Sequence, residues 1–158
     1  MNVDYTLLAA QVRAFAESEP NWLPLLANTS ALLYEVLPDL NWAGFYLNDR
    51  KNPQELILGP FQGKTACIRI AYGKGVCGTA AQSDTLQLVP NVHEFPGHIA
   101  CDSASNSEIV IPLHAEGKVI GVLDIDSPLL ERFDGRDAAG LLLVANALEE
   151  TGDFKERI

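Results

Sequence analysis

The sequence has few basic residues, few cysteines and no long apolar run. Eleven lysines and arginines stand against twenty-one aspartates and glutamates in 158 residues, a formal net charge of −10. Nucleic acid and anionic membranes both require a basic face, so we expect neither as a partner. No apolar run approaches the ~18 residues of a membrane-spanning helix, and the N-terminus lacks the basic region of a secretory signal. These absences predict a cytoplasmic protein.

Motifs for metals and cofactors are also missing. There is no CxxC or HExxH pair, and the dispersed set His93, His98 and Cys101 lacks the tight spacing of a zinc site, so we expect no metal. Gly73-x-Gly-x-x-Gly78 matches a dinucleotide-binding fingerprint by its letters only. It lacks a preceding parallel strand and an acidic partner, and we therefore predict a turn there and no cofactor.

The residues that are present predict one α+β domain over 1–158. Hydrophobic residues make up 47% of the chain and charged residues 20%, a globular composition. Apolar spacing and turn residues predict helices over 3–16, 22–37, 77–82 and from Asp134 to about 151, and strands over 41–49, 55–59, 64–70, 85–89, 108–114 and 118–126. Two strand pairs are joined as hairpins, which favours an antiparallel β-sheet with helices packed on it. Residues 90–107 are polar and predict a loop.

Each of the three cysteines allows two interpretations. Cys101 lies in the polar loop and is either a nucleophile, with His98 as a candidate positive charge beside it, or a thiol without a role. Cys77 begins a short helix, where the helix dipole would stabilise a thiolate, but its position favours a small residue packed under a glycine turn. Cys67 fits a buried strand cysteine. The odd count leaves at least one thiol free in a monomer.

Asp124 and Asp126 form an unusual pair in a predicted strand. They lie two residues apart and therefore share one face, with Ile120 and Val122 as neighbours on that face. The opposite face is also apolar, as in an interior strand. The two carboxylates are either partly buried and functional, or exposed at the end of the strand.

Six segments together resemble one known family. They are Asn41–Tyr46 (NWAGFY), Gly59–Gln62 (GPFQ), 67–70 (CIRI), Gly75–Ala80 (GVCGTA), His98–Ile111 (HIACDSASNSEIVI) and Gly121–Pro128 (GVLDIDSP). The set resembles the free methionine-(R)-sulfoxide reductases, small enzymes with a GAF fold, over about residues 5–150. The resemblance implies thioredoxin-dependent reduction of free L-methionine-(R)-sulfoxide, a role in oxidative stress, and a homodimer. Because GAF domains also serve as ligand sensors, a stand-alone binding module is the alternative.

The resemblance also implies roles for individual residues. Cys101 matches the cysteine that attacks the substrate sulfur, Cys67 the resolving cysteine that forms a disulfide with it, and Cys77 a third cysteine with a lesser resolving role. Trp42 matches an aromatic wall for the S-methyl group. The carboxylates placed around the sulfoxide are Glu108, Asp124 and Asp126. Crowding these acids raises the pKa of at least one of them, and a neutral carboxylic acid is able to donate a proton to the sulfoxide oxygen.

The hairpin register decides whether these acids meet. A two-residue turn at Glu116–Gly117 would pair Asp124 with Ile109 and place Glu108 on the opposite face of the sheet. A three-residue loop over 115–117 pairs His114 with Lys118 and sets Glu108 directly across from Asp124. Since the chemistry requires the acids together, we predict the three-residue loop.

Overall fold

The computed structural model describes residues 2–99 and 101–158; Met1, and Ala100 of the predicted loop, lie outside the described residues. The helices are α1 (Tyr5–Ser18), α2 (Trp22–Val36), α3 (Gly75–Ser83) and α4 (Gly135–Thr151). The strands are β1 (Trp42–Asn48), β2 (Glu55–Gly63), β3 (Arg69–Ala71), β4 (Gln87–Val89), β5 (Ser107–Ala115) and β6 (Lys118–Ser127). Two 3₁₀ turns cover Val92–Glu94 and Lys155–Arg157. This order of elements agrees with the predicted one.

Short polar side chains begin the three long helices. Asp4 accepts a hydrogen bond from the backbone N–H of Leu7 at the start of α1. Asp134 and Asp137 form a reciprocal capping box at the start of α4, which confirms the predicted N-cap. Asn21 caps α2 in the same manner. Among the described helices, none is long and apolar enough to cross a membrane.

The six strands form one antiparallel sheet in the order β3-β2-β1-β6-β5-β4. One face carries the larger core, to which α1, α2 and α4 contribute their apolar stripes. The opposite face carries a smaller core beneath α3 and the segments that follow it. The predicted α+β class with an antiparallel sheet is therefore confirmed.

Strand β2 is longer than predicted, and β3 is shorter. β2 continues past Gly59 because Pro60, which has no N–H, lies where the β1–β2 ladder is irregular, between the pairs Tyr46–Leu58 and Gly44–Phe61. The predicted strand over 64–70 is reduced to Arg69–Ala71. Cys67 consequently precedes β3, and the interpretation of a buried strand cysteine is wrong.

The β5–β6 hairpin has a two-residue turn, so the predicted three-residue loop is wrong. Ala115 pairs with Lys118, and Glu116 and Gly117 occupy the turn with φ values of 52° and 75°. Positive φ at both central residues is the type I′ arrangement, whose twist matches that of the flanking strands. Glycine tolerates this conformation without strain.

A β-bulge at Ile120 shifts the β5–β6 register by one residue beyond the turn. His114 pairs with Val119, whereas Leu113 pairs with Gly121, so Ile120 is the extra residue. Ile120 belongs to the larger core, not to the face of Asp124 as predicted. Past the bulge, Glu108 pairs with Asp126 and Val110 with Asp124. Glu108 and Asp124 do share a face, but as diagonal neighbours and not as the direct pair predicted.

Candidate active site

A row of side chains across the sheet forms the floor of the site. Trp42 of β1 pairs with Asp126 of β6, which pairs with Glu108 of β5. Asp124, two residues before Asp126, pairs with Gly44 on β1 and projects from the same face. Directly paired residues have Cβ atoms roughly 4.5–5.5 Å apart. The antiparallel ladder therefore gathers three carboxyl groups and one indole ring.

All three acids are buried, which settles the question of exposure left open by the sequence. Burial raises the pKa of Glu108 well above its usual value, and the neighbouring charges of Asp124 and Asp126 raise it further. Burial is also the main reason why the pKa of Asp126 is raised well above its usual value, and why that of Asp124 is raised. One oxygen of Asp124 and one of Asp126 are buried without a hydrogen-bond partner. The cluster therefore holds protons and has free capacity to bind a polar group.

Cys77 of α3 closes the cluster from above. Its Sγ lies 4.0 Å from Oε2 of Glu108, and its side chain is only 4% exposed. Burial and the acids raise the pKa of this thiol well above its usual value, which favours the protonated thiol over the thiolate considered for this helix N-terminus. Potential ligand atoms of Cys77, Glu108 and Asp124 lie within 4.8 Å of one another. A metal ion there would first have to displace their protons.

Two stacked aromatic side chains form one wall. The ring centroids of Trp42 and Tyr46 lie 5.7 Å apart, and the Phe61 ring stacks on that of Trp42 at 5.1 Å. Trp42 Nε1 donates a hydrogen bond to the carbonyl of Lys64 (3.2 Å), and the Tyr46 hydroxyl donates to that of Cys67 (2.9 Å). Both rings therefore hold the segment that carries Cys67.

Cys67 and Cys101 are joined by a disulfide. Their Cα atoms lie 5.3 Å apart, although the residues are 34 positions apart in the sequence. Cys77 is a free thiol. Cys101 lines the same cavity as the acids, whereas Cys67 is not among the residues that line it. The bridge thus connects a cysteine of the cavity wall to one on the segment before β3.

The loop that carries Cys101 is anchored on its C-terminal side. The Asn41 side-chain N–H donates hydrogen bonds of 2.9 Å to both Asp102 and Ser105. On the N-terminal side, His98 lines the cavity, but burial and the proximity of His93 lower its pKa. His98 is therefore neutral at pH 7 and does not supply the positive charge considered for the Cys101 thiolate. The His93 and His98 rings contact each other edge to face.

The cavity has a volume of about 40 Å³. The sequence-predicted residues among its lining are Trp42, Cys77, Cys101, Glu108, Asp124 and Asp126. Sequence reasoning missed Tyr46 and Lys74, which also line it. Tyr46 could have been predicted from the sequence, because it lies four residues after Trp42 on the same strand and therefore on the same face of the sheet.

The comparisons with known proteins agree with this geometry. A sequence model of the GAF domain matches residues 21–151. The chain is 52% identical to the free methionine-R-sulfoxide reductase of Escherichia coli over 155 residues, 96% of this chain and 92% of that one. The crystal structure of free methionine-R-sulfoxide reductase from Neisseria meningitidis in complex with its substrate superimposes with a TM-score of 0.89 at 43% identity, covering 96% and 92% of the two chains.

A second solved structure extends the likeness to another redox state. The reduced form of fRMsr from Staphylococcus aureus has a TM-score of 0.89 to this chain at 48% identity, with 95% and 96% of the two chains covered. Both relatives match nearly the whole length, so the likeness includes the cavity and the disulfide segments. On this evidence the chain is an oxidoreductase that belongs to the free methionine-R-sulfoxide reductase family of GAF-domain proteins.

Proposed function

We propose that the protein reduces free L-methionine-(R)-sulfoxide to methionine, with Cys101 as nucleophile and Cys67 as resolving cysteine. The observation that carries the proposal is the disulfide between Cys67 and Cys101, formed beside three buried acids in one cavity. Substrate specificity follows that of the relatives, which are named for this reaction. We further propose that residues 1–158 act as a single catalytic domain.

The acid cluster supplies the proton that the reaction requires. A sulfoxide oxygen only accepts hydrogen bonds, so an ionised carboxylate cannot assist it. Burial raises the pKa values of Glu108 and Asp126 well above the usual range, which favours the protonated form that the reaction needs. Donation of that proton makes the sulfur electrophilic. The unpartnered oxygens of Asp124 and Asp126 accept donors of the substrate.

The remaining walls fit a small zwitterion with an S-methyl group. The Trp42 ring, which lines the cavity, offers an apolar surface for the methyl group. Lys74 at the start of α3 is the one lysine or arginine among the described residues of the lining, and it complements an α-carboxylate. A peptide-bound residue lacks that carboxylate, so free methionine sulfoxide is the better ligand.

The sulfur chemistry has two steps. The Cys101 thiolate attacks the protonated sulfoxide sulfur and forms a bond between the two sulfur atoms. The hydroxyl then passes from the substrate sulfur to Cys101 Sγ as the S–O bond and the bond between the two sulfur atoms break. Methionine leaves in the reduced state, and Cys101 is oxidised to a sulfenic acid. The Cys67 thiol then attacks Cys101 Sγ, water leaves, and the disulfide forms. Cys77, buried and protonated, has a lesser role as an alternative resolving thiol. The Cys67–Cys101 pair in the structure is the product of the second step.

The disulfide must be reduced again after each turnover. An external dithiol must reopen it, and we assign that task to thioredoxin in the cytoplasm, in the context of oxidative stress.

We also propose that the protein forms a homodimer. The α1 and α4 helices pack together and leave Leu7, Leu142 and Leu143 exposed, which gives an apolar face for a second copy.

A coupled assay tests the function directly. Consumption of NADPH by thioredoxin reductase and thioredoxin is followed with purified R and S sulfoxides, each free and within a peptide. We expect turnover with the free R epimer only. Equal rates on the peptide, or a preference for the S epimer, contradict the proposal. A ligand sensor, the alternative, shows no turnover with any of the four.

A further inference from the structure

We propose that the reducing protein attacks Sγ of Cys67, not that of Cys101, and docks on the exposed side chain of Ile68. The inference rests on the proposed function, because it needs a disulfide that an external dithiol reopens in every cycle. It concerns which sulfur is attacked and which surface the reductant contacts. Neither follows from the activity itself.

The two sulfur atoms of the bridge differ in their surroundings. Cys101 lines the cavity together with Glu108 and Asp124, whereas Cys67 is outside the lining. A cavity of about 40 Å³ does not admit a folded protein, so a protein cannot reach a sulfur atom from inside it. Cys67 is partly exposed and lies on the short segment before β3, an edge strand of the sheet, where the next two residues are exposed.

The residue after Cys67 is exposed and apolar. Ile68 is 68% exposed, more than any other large hydrophobic side chain in the described residues. Its carbonyl accepts a hydrogen bond of 2.9 Å from the backbone N–H of Leu58, so its backbone is fixed by β2 while the side chain faces solvent. Ile99, two residues before Cys101, is 38% exposed at the rim of the cavity, in contact range of Gly75.

Together, Ile68 and Ile99 border the disulfide with apolar surface. Single exposed apolar residues are ordinary, but two of them beside the one bond that must react with another protein form a contact surface. The occupant that fits is a protein with a reactive dithiol on an apolar surface. Burial of Ile68 on docking would stabilise that complex and bring the attacking thiolate next to Cys67.

Attack at Cys67 gives a balanced exchange. The thiolate of the reductant forms a bond to Cys67 Sγ, the Cys67–Cys101 bond breaks, and its electron pair leaves on Cys101 as a thiolate. The second thiol of the reductant then loses its proton and attacks the reductant's first sulfur, which is bonded to Cys67 in the mixed disulfide. The bond to Cys67 breaks, and Cys67 leaves as a thiolate that takes up a proton from water. The reductant is oxidised to a disulfide, and Cys101 is returned directly to the cavity in its nucleophilic form.

The mixed disulfide identifies the attacked sulfur. The full-length oxidised protein is mixed with a thioredoxin whose second active-site cysteine is serine, and the trapped complex is digested with trypsin without reduction. Cleavage after Lys64 and Arg69 releases Cys67 in the peptide 65–69, separate from Cys101 in 75–118. We expect thioredoxin on the peptide 65–69. A link to 75–118 overturns the assignment.

The docking surface has its own test. We expect Ile68→Ser to lower kcat/KM for thioredoxin about tenfold, while turnover supported by dithiothreitol is unchanged, because a small dithiol needs no docking surface. Leu130→Ser, at a 57% exposed position after β6, is the matched control and leaves both rates unchanged. Equal thioredoxin rates for Ile68→Ser and wild type overturn the docking surface. A wild-type protein without dithiothreitol-supported turnover would instead refute the proposed function.

Discussion

Glu108 and Asp126 lie directly opposite each other on β5 and β6, both buried, beneath the thiol of Cys77. The pKa of each is raised well above its usual value, first by burial and then by the neighbouring acids. Two such groups in contact share protons, and the pair titrates as a unit. The first two predictions follow from this pair.

Amide variants of the two acids distinguish an effect on proton donation from an effect on folding stability. Glu108→Gln and Asp126→Asn keep the shape but lose the transferable proton, so we expect methionine formation to slow by about 10²-fold or more. Near pH 4 and below, where these acids are protonated in both the folded and the unfolded state, the free energy of unfolding should change by no more than about 1 kcal/mol. Single-turnover methionine release and urea unfolding measure the two effects. Glu116→Gln at the exposed hairpin turn is the control and should change neither. Full activity in both cluster variants contradicts the role of the acids.

Stability should fall as the pH rises. Glu108, Asp124 and Asp126 have raised pKa values in the folded protein, so above about pH 4, the usual carboxyl pKa, the folded state binds more protons than the unfolded state. Their contribution is greatest at low pH and is lost as the pH rises through the folded pKa values. Urea unfolding from pH 5 to 8 should show a shallower decline for Glu108→Gln than for wild type. Parallel curves would show that Glu108 does not hold the proton.

The cysteine variants should separate the two sulfur steps. Cys101→Ser removes the nucleophile, and we expect no methionine from it. Cys67→Ser should release up to one methionine per chain and then stall as a sulfenic acid, with a slow leak through Cys77, which is buried but free. Amino-acid analysis of the released methionine, with and without thioredoxin, measures both. Full thioredoxin-driven turnover of Cys67→Ser would show that another thiol resolves Cys101.

Tyr46 should act on the second step alone. Tyr46→Phe keeps the ring beside Trp42 but removes the hydrogen bond to the carbonyl of Cys67. Loss of a bond worth about 1 kcal/mol should slow disulfide formation about fivefold and leave the first methionine release unchanged. Quenched-flow thiol counts follow both steps. Tyr34→Phe, on the exposed side of α2, is the control. A first step that slows equally would place Tyr46 in substrate binding instead.

The sequence contained the order of elements and most of the cavity, because hairpins, caps and apolar periodicity are local signals. The pairing register of β5 and β6 could not be predicted from the sequence. A regular ladder after a two-residue turn would have put Glu108 and Asp124 on opposite faces, and the bulge that reverses this parity depends on packing. Gly121 permits the backbone of Tyr46 to approach so closely that a Cβ there would collide with its carbonyl, and Ile120 turns toward the helices.

The protonation of His98 and Cys77 was also difficult to predict from the sequence. His98 and Cys101 are three residues apart, but only burial decides that His98 is neutral. The same holds for Cys77, whose position at a helix N-terminus favours a thiolate until the buried acids beneath it are known. Local sequence rules describe neighbours along the chain, whereas these pKa shifts come from neighbours across the sheet.

The thiol count after a single turnover tests the central claim most directly. The fully reduced protein, with three thiols, is mixed with one equivalent of free L-methionine-(R)-sulfoxide and no reductant. We predict that one methionine is released and that two thiols are lost, with Cys67 and Cys101 found joined by peptide mapping and Cys77 still free. Three remaining thiols with no methionine, as a binding module would give, would contradict the account.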